Sequence, residues 1–345
     1  MSTLVDFLNS GIRLTVPILL AAIASMLSAR VGVLNLAIES MVLSGAFVGI
    51  LAASATGNNL IGVLAAAATG ATIGAIMAVA NRVGVDLVVL AIGLNILVLQ
   101  LTVFLMRSYF GGVGTYAPGI ERIPPITIPF LSDLPFLGPL LARLNWLVYL
   151  SILVAVLVAV YFRTRSGRHL LAVGEAPGAA ASAGLSIARY QTLTLLAAGA
   201  LAGIGGAYLS VGDLGLFTRN MSGDRGWIGI TAALLALNRP AFIVPAAAVF
   251  GFASAASIRL QAFDVPGSVT QFIPQGAAFV ALVLVGLRAK SRTSFARLWR
   301  SSSRIPLRWL RQHPSPNPTP AAENPHTPAT RPHHPLHHRS DSQSL

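Results

Sequence analysis

Long apolar runs, broken at intervals by a few polar or basic residues, fill the chain as far as residue 287. A helix needs about 20 mainly apolar residues to cross a bilayer, or somewhat fewer where it is broken or shielded by protein. On that measure, candidate spans lie at 14–29, 34–55, 60–80, 87–106, 144–162, 191–212, 227–237, 241–258 and 269–287. Residues 40–81 hold no ionisable side chain and are divided only by Thr56-Gly57-Asn58-Asn59, a turn signal, so they predict a helical hairpin. The run 227–237 is too short to cross alone and ends in Asn238-Arg239-Pro240, which predicts a broken or re-entrant pair with the next run. The pattern predicts an all-α integral membrane protein, a polytopic helical bundle of about eight to ten spans with broken or re-entrant segments.

Composition agrees. Hydrophobic residues make up 54% of the chain, charged residues 10%, and mean hydropathy is +0.71, whereas soluble domains carry about 25% charged residues. The absence of cysteine excludes disulfides, thiolate metal sites and cysteine nucleophiles. A net charge of +13 resembles a nucleic-acid signature until it is located. Ten of the 24 Arg and Lys residues fall from Arg288 onward against only Glu323 and Asp341, so most of the excess belongs to the tail and no nucleic-acid partner is expected. Three regions follow: a transmembrane domain at 1–287, a basic juxtamembrane segment at 288–312 and a Pro- and His-rich tail at 313–345. Phe295, Leu298 and Trp299, with Arg292, Arg297 and Arg300, fit an amphipathic turn on anionic membrane lipid. The tail composition predicts disorder, and its six histidines, His333-His334 and His337-His338 among them, read as low-complexity drift with no metal bound.

Basic residues beside span ends mark the cytoplasmic side. Arg163, Arg165 and Arg168 share one short loop, and Arg288, Lys290 and Arg292 follow the last run. Both stretches and the C-terminus are therefore expected in the cytoplasm together with Arg30 and Arg82, with the N-terminus outside. The Pro- and Gly-rich stretch 107–143 then faces the exterior. Run 14–29 followed by Arg30 resembles a signal peptide, but Asp6 precedes it, no convincing cleavage site is present and another apolar run follows at once, so a retained helix is expected.

Within the spans, Gly70-x-x-x-Gly74 and Gly199-x-x-x-Gly203, with Gly205 and Gly206, predict close helix packing. Polar groups at span depth are costly, so each asks for a reason. Asn35 and Glu39 lie four apart at the start of the second run, which in a helix puts them on one face. Asn95 and Gln100 interrupt the fourth run, and Gln271 and Gln275 are four apart near the last. Two accounts stay open. Each side chain satisfies a backbone group at a helix break or a neighbouring span, or it faces a central pathway where amides and one carboxylate hydrogen-bond a polar, uncharged solute. No nucleophile or paired-carboxylate constellation is assembled, so the chain is not expected to be an enzyme. Lys290 is the only lysine and lies in no Gly-x-x-x-x-Gly-Lys-Ser/Thr loop, so ATP hydrolysis, where used, belongs to another polypeptide and this chain holds no cofactor of its own.

Three stretches, in order, resemble one family. Arg30-Val-Gly-Val-Leu-Asn35-Leu-Ala-Ile-Glu39-Ser-Met-Val-Leu-Ser-Gly45-Ala-Phe47 is similar to the second span of nucleoside or simple-sugar ABC permeases, with Ser40 where that group usually has Gly. Arg163-Thr-Arg-Ser-Gly-Arg168, Ala172-Val-Gly-Glu175-Ala-Pro177-Gly-Ala-Ala180 and Gly184-Leu-Ser-Ile-Ala-Arg189 resemble the cytoplasmic loop of ABC importer permeases of the branched-chain amino acid, ribose and nucleoside type. Leu201-Ala-Gly203-Ile-Gly205-Gly206-Ala-Tyr208-Leu-Ser210, then Arg225-Gly226-Trp227-Ile228, matches a pattern that in the family reads Gly-Gly-Ala-Tyr-Leu and Arg-Gly-Phe-Ile. The resemblance covers roughly residues 14–287 and leaves the tail outside. It implies a multi-pass permease subunit in the plasma (inner) membrane of a prokaryote, forming the translocation path for nucleosides or a related simple sugar. Its implied partners are a second permease subunit, a cytoplasmic ATPase subunit carrying ATP and Mg, and an extracytoplasmic solute-binding lipoprotein. Arg168, Gly174, Glu175, Ala179, Ala180, Gly184 and Arg189 would then belong to the loop that meets the ATPase. A branched-chain amino acid permease and an ion-gradient-driven secondary transporter, with Glu39 as its proton or sodium site, are the alternatives.

Overall fold

The computed structural model describes residues 2–111, 114–127 and 143–261, together with positions 274–276, 279, 280 and 283. Four long helices come first: α1 (Ser2–Arg30), α2 (Ile38–Thr56), α3 (Asn59–Val83) and α4 (Leu87–Tyr109). Then follow α5 (Trp146–Tyr161), α6 (Arg165–Glu175), the single-turn α7 (Pro177–Ser182) and α8 (Ile187–Ala207), which runs on as a π-helical segment (Tyr208–Leu214). The short α9 (Arg225–Leu235) and α10 (Pro240–Gln261) complete the described bundle.

Local chemistry sets the boundaries. Gly57 and Gly84 take left-handed backbone after α2 and α3, where a side chain would be strained. Asn58, Asp86, Asn145 and Thr164 accept backbone N–H bonds at the starts of α3, α4, α5 and α6. The turn read at Thr56-Gly57-Asn58-Asn59 is thus the hinge of the α2–α3 hairpin.

Among the described residues six helices are long and apolar enough to cross a membrane, and a seventh span exists if α5 and α6, bent by 77° at their junction, count as one. The eight to ten spans expected are not confirmed by these residues. Run 227–237 became α9, of 11 residues, which is too short to cross. Run 269–287 falls largely outside the described residues, as do the juxtamembrane segment 288–312 and the tail 313–345. The described residues all fall within one compact unit, Met1–Lys290. Within the stretch 107–143, short strands add to the helical expectation. β1 (Thr115–Tyr116) pairs antiparallel with β4 (Phe217–Thr218), and β2 (Pro125–Thr127) pairs antiparallel with β3 (Arg143–Asn145).

α8 is the hub, packing against α3, α2 and α1. The α1, α2 and α8 spans are 67%, 72% and 72% buried inside the protein, whereas α4 is 17% buried and lies at the edge. Lipid is as apolar as leucine, so helices in a membrane gain little from hydrophobic burial and associate by close contact of small residues. The two predicted glycine pairs turn out to face each other. A Cβ on Gly45 would lie 2.5 Å from the Gly203 carbonyl oxygen, and one on Gly70, Gly199 or Gly203 would come closer still to the oxygens of Gly199, Gly70 and Ala66. A second cluster joins α1, α9 and α10 through Ile18, Ile23, Met26, Ala232, Ile243 and Phe250.

Gly70→Ala and Gly199→Ala should each cost about 1–3 kcal/mol by overpacking this seam, lowering the thermal midpoint of the detergent-solubilised protein. Gly93→Ala on α4, where a Cβ meets nothing within 4 Å, should leave the midpoint unchanged or raise it. Equal losses in all three would refute the seam.

Candidate functional site

The chain leaves helix at the end of α1, turns at Gly32 (φ 81°) and runs irregularly to Ile38. Asn35 lies in this break, 3% exposed, and so does not share a helical face with Glu39 as its spacing had suggested. Its Nδ2 donates to Ser28 Oγ at 3.3 Å, and its Oδ1 accepts the Ala37 N–H at 3.1 Å. Asn35 therefore ties the break to α1. Asn95, from α4, closes the other side. Its Oδ1 accepts the Ser40 N–H at 3.0 Å and its Nδ2 donates to the Leu36 carbonyl at 3.0 Å. One amide thus serves an unpaired donor at the start of α2 and an unpaired acceptor just before it.

Glu39 occupies the first turn of α2, where the helix dipole favours negative charge. Its Oε2 accepts the Gly226 N–H at 2.7 Å, at the start of α9. The positive ends of two helices therefore meet at one carboxylate. Residue 226 must be glycine here, because a Cβ would lie 2.6 Å from the Glu39 Cα. Arg225 holds the preceding loop, its Nη1 donating to the carbonyls of Ser222 at 2.9 Å and Met221 at 3.4 Å. Asn220 (φ 54°) and Asp224 (φ 61°) take the left-handed backbone in that loop, a conformation that these two residue types tolerate better than most.

A cavity of about 250 Å3 opens beside this junction. Glu39, Ser40, Asn95, Asn220, Asp224 and Trp227 line it, with Leu43, Ile92, Ile96 and Leu99 as its apolar wall. The other oxygen of Glu39, Oε1, is buried without a hydrogen-bond partner among the described residues. The cavity brings Glu39 and Asn95 together. Asn35 is excluded from it, and Gln100 and Gln275 are exposed elsewhere. Gln271 lies outside the described residues. Sequence reasoning missed Asn220, Asp224 and Trp227. The available signal was the stretch Asn220–Asp224 before a short apolar run, which marks a helix start but not what it meets. A second polar cavity, of about 350 Å3, is bounded by Asn9, Arg122, Tyr208 and the ion pair of Arg13 with Asp213.

The loop residues 163–189 form a compact helical elbow. Gly174 lies against the Arg30 carbonyl with no room for a Cβ, and Glu175, 73% exposed, sits 3.9 Å from Arg30 Nη1. Arg30 Nε also donates to the Asn238 carbonyl at 2.6 Å, just beyond α9. Ala180 is buried, whereas Arg168, Ala179, Gly184 and Arg189 are exposed.

Discontinuous helices whose N-termini meet at a polar cavity inside a many-helix bundle define a membrane permease. The chain belongs to the family described as branched-chain amino acid transport system / permease component, whose family model matches residues 7–287. It is 30% identical over 270 residues to the putative glucose ABC transporter permease protein TsgC13 of Haloferax volcanii, covering 76% of this chain and 80% of that one. It is also 30% identical over 260 residues to the guanosine ABC transporter permease protein NupQ of Bacillus subtilis (70% and 78% covered). To the nucleoside ABC transporter permease protein NupC of Lactococcus lactis it is 27% identical over 283 residues (78% and 88% covered). No solved structure matches at a significant level.

If Asn95 caps α2, then Asn95→Leu leaves two backbone groups unpaired, at about 1–3 kcal/mol each, and should lower the thermal midpoint more than Asn95→Asp, which keeps the acceptor. By the same logic, Glu39→Gln should remain closer to wild type than Glu39→Leu. Thermal unfolding in detergent reads both pairs, and equal losses within each pair would refute the capping roles.

Proposed function

We propose that this chain is the permease subunit of an ABC importer and that the cavity at the α2–α9 junction is its share of the translocation path for a nucleoside or a related simple sugar. The observation that carries the solute class is the lining: two carboxylates, two amides, a hydroxyl and an indole, with the nearby arginine, Arg225, turned to loop carbonyls. Such a lining suits hydroxyls and a planar ring, whereas an amino acid's carboxylate asks for a cation. The names of the nucleoside and glucose relatives support the same reading.

The end of the bundle holding Arg30, Gly32, Gly174 and Glu175 also carries Arg163, Arg165 and Arg168, which supports its placement in the cytoplasm and the N-terminus outside. In this reading the elbow at 163–189 meets a separate ATPase subunit, a second permease completes the path, and a solute-binding lipoprotein delivers solute from outside. ATP-driven closure of the partner domains then reaches the spans through the elbow.

Proteoliposomes holding the whole complex test the reading. Uptake of radiolabelled nucleoside, pentose, glucose and leucine should require internal ATP, ignore ionophores and favour a nucleoside or sugar over leucine. Collapse with an ionophore, without need of ATP, would instead assign a gradient-driven carrier with Glu39 as its ion site. A preference for leucine would overturn only the solute. Glu175→Arg should abolish uptake while the subunit still folds and inserts, since Glu175 is exposed and a surface ion pair contributes only about 0–1 kcal/mol. Normal uptake by that variant would remove Glu175 from the coupling surface.

A further inference from the structure

A groove of about 670 Å3 runs between α5 and α8, floored by Leu27 of α1. Its walls are apolar along Val154, Leu157, Leu193 and Ala197, and at one end it closes in a polar collar of Tyr161, Ser166 and Tyr190. Tyr161 Oη and Ser166 Oγ are 3.4 Å apart, and Tyr190 Oη is 3.2 Å from His169 Nδ1. Two features bear on what it would hold. On α8 the lining extends from Tyr190 to Leu201, about 16 Å at 1.5 Å per residue, which is one leaflet of a hydrocarbon core about 30 Å thick. At the collar, Arg165 directly precedes Ser166 and Arg189 directly precedes Tyr190, with Arg163 and Arg168 in the same elbow. All four arginines are exposed, and none makes an ion pair with a described residue.

We propose that this groove is a binding site for one anionic phospholipid, its acyl chain laid between α5 and α8 and its phosphate at the Arg165–Arg189 end. The apolar length alone would accept any lipid. The arginines select charge, because basic residues at the membrane surface attract anionic headgroups and leave zwitterionic ones nearly unaffected. The lipid would wedge beneath α6, whose Leu170 and Ser166 form part of the groove wall. The site stands on this geometry whether or not the transport reading holds.

The test is native mass spectrometry of the full chain released from nanodiscs of equal phosphatidylglycerol and phosphatidylcholine. Wild type should retain one phosphatidylglycerol, enriched about tenfold over phosphatidylcholine. Arg165→Gln with Arg189→Gln, both at exposed positions, should bring the ratio near unity while lipid is still retained. Ala197→Trp, which fills the groove from an exposed position, should expel the lipid without lowering the thermal midpoint. Equal retention of the two lipids by wild type would overturn the proposal, as would unchanged enrichment in either variant. Retention of no lipid would also overturn it, by leaving the groove to a protein partner.

Discussion

A backbone amide that leaves a helix inside a bilayer finds no water, so the protein itself must supply its partner. The break between α1 and α2 and the start of α9 create this demand, and three side chains meet it. Asn35 fastens the break to α1, Asn95 reaches across from α4 to pair one donor and one acceptor, and Glu39 turns to the start of α9. The two accounts that the sequence left open for these polar residues are therefore not exclusive. Asn35 pairs with Ser28 and the Ala37 backbone and does not line the cavity, whereas Glu39 and Asn95 spend hydrogen bonds on the backbone and still face it. The polar cavity exists because the helices stop there.

The break is tolerable because its surroundings are stiff. α2, α3 and α8 approach backbone to backbone at Gly45, Gly70, Gly199 and Gly203, leaving no side-chain layer that can rearrange. α4 and α5 have no such seam: α4 is largely exposed, and α5 bends sharply into α6. A rigid three-helix centre with looser flanks places the cavity at the boundary between them, with Glu39 on the rigid side and Asn95 on the loose one.

How much of this was legible follows from the range over which each signal acts. The α2–α3 hairpin was readable because Gly57 and Asn58 act locally, through a left-handed turn and a helix cap. Both glycine pairs were readable as packing surfaces, but that they meet each other is a fact of tertiary structure that spacing does not carry. Asn35 and Glu39 misled because a four-residue interval implies a shared face only within a continuous helix, and α2 begins at Ile38. Asn220, Asp224 and Trp227 were missed because nothing near them in sequence reports that α9 starts beside a residue 187 positions earlier. The paired strands around 115–145 went unread because two- and three-residue strands leave too few positions for alternation to register.

The geometry of α9 carries one further consequence. Its 11 residues span about 16 Å, from Gly226 on the Glu39 carboxylate to the carbonyl of Asn238, just past its end, on Arg30. Arg30 in turn faces Glu175 in the elbow at 163–189. Arg30 thus touches both the elbow and the far end of a short helix whose near end is the cavity wall. Glu39 and Gly226 meet there with no intervening side chain, because the glycine leaves the two backbones in contact. The same unpaired amides that the break forces the protein to satisfy thus place a short helix between its basic face and its polar interior.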